Sequence, residues 1–496
     1  MLGKLKQTAK QTIIYSLGNI SSKLIGFILL PLYTEYLITE EYGMFAILEV
    51  TGTIMVAVFS FKLSTAMMRW CSVENSQHKI KSIIFTTYIT AFLTILFLNL
   101  FFQPFTSSFS SLFFGSDLFA EYFLILFLSI SFEILNLFSF DLLRLKEKPF
   151  RFICVSIIRL VVILSFNIYF IRYQTLGVKG ILLSSLIGNS LVSLITLPFL
   201  IKHMVWNFLT KELKNMFKYG IPLIFSTISM MLLTMGDRYI IKYYLDYSEV
   251  GIYSLGYKIA GVINMLVIQS FQTGFLPIAY KNFDKPDAQS FFSKTLTYYA
   301  LILVIVSLGL SLFSQEVIEL FSKDQSYLIA YTVVPFISLA FIFKGIQYVY
   351  SLGLHFVKKT KYNAYIVFSA AILNVGLNFL LIPHFKIYGA AVATIITWIA
   401  MSTAFYKVSY KFYKVKYEFM RIGLMVAVGI ILYCISLFFT EMNLYARAGL
   451  KIVLVVLFPI SLFALRFFNK KEIQGLKAFW VKWKRPVNRK SNLKKR

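Results

Sequence analysis

Six basic and three acidic side chains interrupt the apolar stretches of this sequence, and they are its strongest candidates for chemistry. The basic residues are Lys23, Lys62, Arg159, Arg238, Lys258 and Lys344, and the acidic residues are Glu49, Glu133 and Asp237. A charged group at membrane depth costs roughly 2.5–3.5 kcal/mol, so it usually faces a partner or a hydrated pathway. Because Arg and Lys bind phosphates through charge-assisted hydrogen bonds, the basic excess predicts a cavity for an anionic cargo.

The depth of each basic residue decides how strongly it supports such a cavity. Near a helix end, a long side chain can reach the membrane surface without any cavity. The residues near predicted helix ends are Lys62, Arg238 and Lys344. The residues that lie deeper are Lys23, Arg159 and Lys258. An ion pair with Glu49 or Glu133 is the alternative to a cargo site for these three.

Other polar groups at membrane depth are candidates for two further roles. The three carboxylates could bind a proton or a sodium ion, so that an ion gradient or the membrane potential drives transport, and salt bridges are the alternative. Gln269 and Gln272 are three residues apart and share one face of a helix. Together with Asn19 they are candidates for contacts with sugar hydroxyls, the alternative being hydrogen bonds between helices. No bound cofactor is expected.

Long apolar runs must position these side chains. The chain has 496 residues, of which 58% are hydrophobic and only 15% charged, with a mean hydropathy of +0.72. Soluble domains are about 25% charged, so this composition indicates a polytopic membrane protein. A helix needs about 20 apolar residues to cross the bilayer. We predict an all-α fold of about fourteen such spans, at 11–34, 43–66, 82–102, 119–140, 152–171, 178–200, 219–241, 251–278, 295–314, 327–352, 363–383, 387–406, 422–440 and 446–465.

The basic residues outside the spans predict the orientation of the chain. If the N-terminus is cytoplasmic, 37 of the 50 Lys and Arg residues lie on the inner side and 7 on the outer side. Membrane proteins concentrate Lys and Arg in cytoplasmic loops, so both termini are predicted to be cytoplasmic. The net charge of +28 is then mainly a topology signal, which removes nucleic acid as a partner.

A weak internal repeat predicts two halves of six helices each. Shifted by 208 residues, Tyr36, Glu41 and Gly43 coincide with Tyr244, Glu249 and Gly251. An even number of spans gives both copies the same orientation, as in transporters with parallel repeats. The predicted units are an N-terminal bundle at 1–205, a C-terminal bundle at 206–415, helices 13 and 14 at 416–466, and a basic cytoplasmic tail at 467–496.

Several activities are disfavoured by what the sequence lacks. There is no G-x-x-x-x-G-K-[ST] phosphate loop, so ATP hydrolysis by this chain is not expected. Cys71, Cys154 and Cys434 are scattered and form neither a disulfide framework nor a metal-ligand pattern. The short outer loops disfavour a membrane polymerase or glycosyltransferase, so we expect a transporter and not an enzyme.

Four stretches of the sequence resemble the polysaccharide transporter family of the multidrug/oligosaccharidyl-lipid/polysaccharide exporter superfamily. They are Gly18-Asn19 with Lys23-Leu24-Ile25-Gly26, Glu41-Tyr42-Gly43, the run from Asp237-Arg238 to Lys258-Ile259-Ala260, and Ile387-Tyr388-Gly389-Ala390. Their order and spacing extend the resemblance from about residue 10 to residue 465.

The resemblance implies a flippase that moves an oligosaccharide on a polyprenyl pyrophosphate lipid by alternating access of two bundles. The cargo would be an O-antigen, capsule or exopolysaccharide repeat unit, as in lipopolysaccharide synthesis. Membrane lipids and polysaccharide polymerase or assembly proteins would be the partners, in a bacterial cytoplasmic membrane. The related lipid II flippases have cationic cavities and two additional C-terminal helices that help form a lipid groove. The alternatives are a multidrug and toxin extrusion-type exporter, a lipid II flippase and a membrane glycosyl polymerase.

Overall fold

The protein is built from long helices that lie side by side. The computed structural model describes residues 25–322 and 324–468 together with 472 and 474, and every regular element within them is helical. The first half contains α1 (Ile25–Tyr36), α2 (Thr39–Phe59), α3 (Gln77–Phe102), α4 (Ala120–Leu145), α5 (Pro149–Ile168) and α6 (Gly177–Lys202). The second half contains α7 (Thr210–Met235), α8 (Tyr247–Ile263), α9 (Ala288–Leu312), α10 (Val334–Phe356), α11 (361–385) and α12 (387–412), followed by α13 (Phe419–Ser436) and α14 (Leu444–Ala464).

The helices account for the predicted spans. Twelve helices in the described residues are long and apolar enough to cross a membrane. One of these is a 52-residue helix, Lys361–Phe412, whose backbone breaks at Lys386 (φ 52°, ψ −136°) and so forms α11 and α12. Together with the described end of α1, this gives the fourteen segments expected from the sequence, and the polytopic all-α fold is confirmed.

Local sequence explains where several of these helices begin. Asp246 precedes α8, and its side chain accepts a hydrogen bond from the backbone N–H of Glu249 at 2.9 Å. Asn443 does the same for α14, through the N–H of Ala446 at 2.9 Å. Such caps satisfy backbone donors that have no partner within the helix. Pro149 begins α5, where its missing N–H costs nothing.

Two predicted segments differ in the structure. The second span was predicted as one helix at 43–66, but α2 ends at Phe59, and a separate helix, Leu63–Val73, begins after Phe61 and Lys62. Both of these residues adopt left-handed φ angles, 46° and 54°, which no α-helix accommodates. The outer segment 103–118 was predicted as a loop, and it contains a short helix, Thr106–Phe114.

Packing within each half is dense, and the two halves meet mainly where α2 lies against α8. In the first half α4 packs along α3 and α6, and in the second half α10 packs along α9 and the α11–α12 segment. α13 and α14 pack against each other and against α9. The division into two repeated bundles stays a prediction, and α2 and α8 are the helices that its 208-residue shift would make equivalent.

Candidate functional site

A cavity of about 420 Å³ lies between the two halves. The first half contributes residues from α1 and α2, and the second half contributes residues from α7, α8 and the helix Asp237–Tyr244 that follows α7. Its polar lining consists of Tyr42, Glu49, Arg238, Ser254, Tyr257, Lys258, Asn264 and Gln269. Four of these lining residues are site candidates from the sequence: Glu49, Arg238, Lys258 and Gln269.

Lys258 forms an ion pair across the cavity. Its ammonium nitrogen is 3.5 Å from Glu49 Oε2, and these two side chains are on α8 and α2, one from each half. The ammonium also lies 5.8 Å from the ring centre of Tyr42 and 5.6 Å from that of Phe45, within the range of a cation–π interaction. The Glu49 side chain is 48% exposed, and so it is the more accessible member of the pair.

Arg238 forms a second, deeply buried ion pair. Its Nη1 atom is 2.8 Å from Oδ1 of the adjacent Asp237, and these residues are only 7% and 1% exposed. The hydroxyl of Tyr253 donates to the other Asp237 oxygen at 2.5 Å, and the Arg238 guanidinium lies 4.7 Å from the ring centre of Tyr257. Both oxygens of Asp237 therefore have partners, and Arg238 is fixed by its neighbours instead of reaching to the membrane surface.

These two pairs change the expected electrostatics of the cavity. Six basic residues were predicted to give a net positive interior, but only Arg238 and Lys258 line this cavity within the described part of the chain. Each is matched by a carboxylate, Asp237 or Glu49. The described charges around the cavity therefore balance, so an anionic cargo must compete with a carboxylate to reach either cation.

Two buried hydroxyls in the cavity lining were missed by the sequence analysis. Ser254 Oγ and Tyr257 Oη are shielded from solvent and have no hydrogen-bond partner among the described residues. A buried polar group without a partner costs about 1–3 kcal/mol, which a cargo hydroxyl or phosphate oxygen would recover. A signal was present, because Ser254, Tyr257, Lys258 and Gly261 follow the i, i+3, i+4, i+7 spacing of one helix face.

The cavity lining continues beyond the end of α8 through an irregular turn. Residues Asn264–Ile268 form a π-helical turn, and the helix then resumes as Gln269–Asn282. Such π-turns are frequent at functional sites, because they rotate the residues that follow relative to those before. Gln269 lines the cavity, but Gln272 does not: its backbone oxygen accepts a hydrogen bond from the Tyr348 hydroxyl at 3.2 Å.

The remaining candidates lie away from the described cavity. Arg159 is half-buried on α5, and its Nε atom has no partner in the described part of the chain. Lys344 is on α10, 5.3 Å from the ring centre of Trp398, while Lys62 occupies the break after α2 and Glu133 lies on α4. None of these four lines the cavity. Lys23 and Asn19 lie outside the described residues.

Close backbone contact joins the two halves at the predicted outer side of the cavity. A Cβ atom on Gly43 would lie 1.8 Å from the backbone oxygen of Tyr247, and one on Gly251 would lie 2.1 Å from that of Thr39. Gly43 thus contacts Tyr247, four residues before Gly251, and Gly251 contacts Thr39, four residues before Gly43. The crossing of α2 and α8 is therefore symmetric. Only glycine permits an approach this close.

Hydrogen bonds surround this crossing. The hydroxyls of Thr39 and Ser248 are 2.5 Å apart, and the Tyr327 hydroxyl donates to the backbone oxygen of Leu37 at 2.9 Å. Thr34 donates to the backbone oxygen of Phe321 at 2.8 Å. In each case one partner belongs to the first half and the other to the second. We call the Gly43–Gly251 crossing and these hydrogen bonds the outer seal.

The halves also touch at the opposite, predicted inner side. Trp70 Nε1 donates to Glu212 at 2.9 Å, and the ammonium of Lys79 lies 3.4 Å from Glu212 and 2.9 Å from Glu74. The hydrogen bond from Lys79 lowers the pKa of Glu74. Both members of the Lys79–Glu74 pair are solvent-accessible, so this network contributes little to stability.

An apolar groove runs along α13. Its two parts have volumes of about 580 and 220 Å³, and they meet at Val426 and Ile430, which line both. The larger part lies between α13, α10 and α12, and the smaller part lies between α13, α9 and α10. From Phe419 to Tyr433 the groove follows α13 for about 21 Å, at 1.5 Å per residue.

A buried ion cluster attaches α14 to the second half. Arg447 Nε lies 2.7 Å from Glu316, and a second guanidinium nitrogen contacts Glu319. The ammonium of Lys451 lies 2.7 Å from the same Glu316 carboxylate. Arg447 and Lys451 are only 4% and 3% exposed. None of these four residues was a site candidate from the sequence.

Comparisons with known proteins agree with this architecture. Residues 8–283 match the family described as Polysaccharide biosynthesis protein, and residues 222–380 match the MatE family. The fold is similar to that of the lipid II flippase MurJ in an inward closed conformation, with a TM-score of 0.75, 18% identity, and coverage of 91% of this chain and 99% of that one. It is also similar to an inward-facing MATE-family multidrug resistance transporter, with a TM-score of 0.63, 14% identity, and coverage of 83% and 95%. No curated protein matches the chain.

Proposed function

The chain belongs to the Polysaccharide biosynthesis protein family, and we propose that it flips an oligosaccharide linked to a polyprenyl pyrophosphate across the bacterial cytoplasmic membrane. The cargo would be a repeat unit for an O-antigen, a capsule or an exopolysaccharide. Both termini would be cytoplasmic, and polysaccharide polymerase or assembly proteins would act on the product. The chain would move the lipid by alternating access of its two halves.

The observation that carries this proposal is a polar, ion-lined cavity in the same molecule as a long apolar groove. Lys258 and Arg238 offer charge-assisted hydrogen bonds to a pyrophosphate, and Ser254 and Tyr257 offer hydroxyls that no other described residue engages. The groove along α13 would accommodate part of a polyprenyl chain. A lipid-linked sugar needs both environments at once, because its head and its tail differ in polarity.

The outer seal supports the transport step. Because the Gly43–Gly251 crossing closes one side of the cavity, the described state is shut toward the predicted outside. Alternating access requires this contact to break, and a crossing made of two glycines and a few hydrogen bonds can part without unfolding either bundle. Whether a proton, a sodium ion or the membrane potential drives the cycle stays a prediction, with Glu49, Asp237 and Glu133 as the coupling candidates.

A multidrug exporter is the second candidate, and one observation favours it. Glu49 is a half-exposed carboxylate in the cavity, and a carboxylate attracts cationic drugs. The match of residues 222–380 to the MatE family supports this alternative as well. The two candidates differ in which charge of the Lys258–Glu49 pair contacts the cargo.

Reconstituted vesicles test the proposal. A polyprenyl pyrophosphate carrying a labelled sugar is placed in the membrane, and the rate at which the sugar becomes accessible on the opposite face is measured. We expect Lys258→Ala to slow this rate at least tenfold, because it removes a phosphate-binding charge from the cavity. Lys344→Ala is the matched control, because Lys344 is also at membrane depth but outside the cavity lining.

The same vesicles distinguish the two candidates. Equal rates for the wild-type protein and the Lys258→Ala variant would contradict the cavity as the cargo site. Export of a cationic dye without movement of the lipid-linked sugar, and loss of that export in Glu49→Gln, would favour the exporter instead.

A further inference from the structure

The ion pair between Glu49 and Lys258 connects the two halves just beneath the outer seal. Glu49 lies six residues after Gly43 on α2, and Lys258 lies seven residues after Gly251 on α8. At 1.5 Å per residue, the two members lie about 9 and 10.5 Å along their helices from the glycine crossing. The pair therefore joins the same two helices that must separate when the outer side opens.

The anionic head group of the cargo and the Glu49 carboxylate compete for the same ammonium, that of Lys258. An anionic head group that enters the cavity meets two cations, each already matched by a carboxylate. Asp237 is 1% exposed and has hydrogen bonds from Arg238 and Tyr253. Glu49 is 48% exposed, and its contact with Lys258 is the longer one at 3.5 Å. Of the two carboxylates, Glu49 is therefore the one that a cargo can displace.

We propose that the pyrophosphate of the cargo displaces the Glu49 carboxylate from the Lys258 ammonium. The loss of this ion pair releases α2 from α8, so that the outer seal opens. This inference rests on the proposed flippase function. It makes Glu49 a positioning residue that acts through Lys258 and couples cargo binding to opening. In the empty protein the ion pair forms again and holds the outer side closed.

The exchange also sets a requirement on the cargo. Coulomb attraction scales with charge, so a diphosphate attracts an ammonium more strongly than a single carboxylate does at the same distance. A lipid monophosphate has less charge with which to displace Glu49. The protein should therefore bind pyrophosphate lipids more tightly than the monophosphate that remains when the pyrophosphate is cleaved. Because both lipids must displace the same carboxylate, removing it should tighten the binding of both by the same factor.

The first experiment measures opening. Cys71, Cys154 and Cys434 are replaced by Ser, and spin labels are attached to cysteines at Leu118 and Leu320, which are highly exposed and lie one on each half. Distances between the labels are measured in nanodiscs, with and without undecaprenyl pyrophosphate. In the wild-type protein we expect the lipid to increase the population with longer distances.

The variants separate a coupling role from a merely structural one. Glu49→Gln should populate the longer distances without lipid, and the further change on adding lipid should be at least threefold smaller. Glu49→Asp keeps the charge and should retain the wild-type response at least in part. Glu121→Gln is the matched control, because it removes an ion pair with Lys179 that lies within the first half and outside the cavity lining.

The second experiment measures lipid affinity and does not depend on the spin labels. The wild-type protein should bind undecaprenyl pyrophosphate more tightly than undecaprenyl monophosphate, and Glu49→Gln should tighten the binding of both lipids at least fivefold. Unchanged affinities and unchanged distances in Glu49→Gln would overturn the exchange and leave the proposed function intact. A wild-type protein that binds neither lipid would refute the proposed function and this inference with it.

Discussion

Replacing Gly43 with alanine should shift the protein away from the state described here. The new Cβ atom would lie 1.8 Å from the backbone oxygen of Tyr247 and 2.7 Å from its carbonyl carbon. Both atoms belong to the backbone of α8, so no side-chain rotation can relieve the clash. If the two halves separate at the outer seal, the same Cβ atom meets no obstacle.

The size of the shift follows from the geometry. An ordinary carbon–oxygen contact is about 3.3 Å, so α2 and α8 must move apart by about 1.5 Å at the crossing. Overpacking of this kind typically costs about 1–3 kcal/mol. Because 1.4 kcal/mol corresponds to a factor of ten, the ratio of closed to open outer seal should fall about 5- to 150-fold.

A disulfide cross-link across the outer seal measures this ratio. Thr39→Cys and Ser248→Cys are introduced into a background without the native cysteines, because these two hydroxyl oxygens are 2.5 Å apart. The initial rate of oxidative cross-linking reports the closed population. We expect Gly43→Ala to lower this rate by at least fivefold, and Gly251→Ala to act in the same direction.

Gly261 provides the matched control. It lies on α8 and lines the cavity, but a Cβ atom there would meet no atom of the described residues within 4 Å. Gly261→Ala should therefore cross-link at the wild-type rate. If Gly43→Ala also cross-links at the wild-type rate, the backbone contact does not hold the outer side closed, and the reasoning from the crossing is refuted.

Two further predictions concern the buried ion pairs. Asp237→Asn leaves the Arg238 guanidinium buried without its counter-charge, which costs about 3–5 kcal/mol. The apparent melting temperature in detergent should therefore fall, whereas the exposed control Asp117→Asn should leave it unchanged. Arg447→Met removes the residue that contacts both Glu316 and Glu319, so melting temperature should fall and protease cleavage between α13 and α14 should accelerate. Wild-type melting and cleavage in the latter variant would mean that Lys451 alone holds α14 in place.

The sequence predicted the helices well and the surroundings of their charged side chains poorly. Lys258 and Glu49 were both identified as membrane-depth charges, and an ion pair involving Glu49 was one of two open interpretations. Arg159 met the same criteria as Lys258 but lies on α5, away from the described cavity. Depth follows from position along an apolar run, whereas the direction a side chain faces depends on how each helix is rotated against its neighbours.

The predicted repeat shows more clearly how much of a contact between helices can be inferred from the sequence. The 208-residue shift placed Gly43 and Gly251 in register, but it gave no reason why glycine recurs there. The structure supplies that reason, because the two glycines lie against each other's helix and leave no room for a Cβ atom. The recurrence of glycine was thus visible in the sequence, whereas the contact that these glycines make between the two halves is visible only in the structure.

The sequence by itself determined that this chain is a membrane protein of about fourteen helices, because transfer of each apolar segment into a bilayer depends only on that segment's own residues. Tertiary structure alone decided which charges share the cavity, which carboxylate neutralises each cation, and where two backbones touch. These features depend on ångström-scale distances between helices far apart in the chain, and no local pattern encodes those distances. Among the described residues, the two cations that line the cavity are each paired with a carboxylate, and composition alone does not specify such pairing.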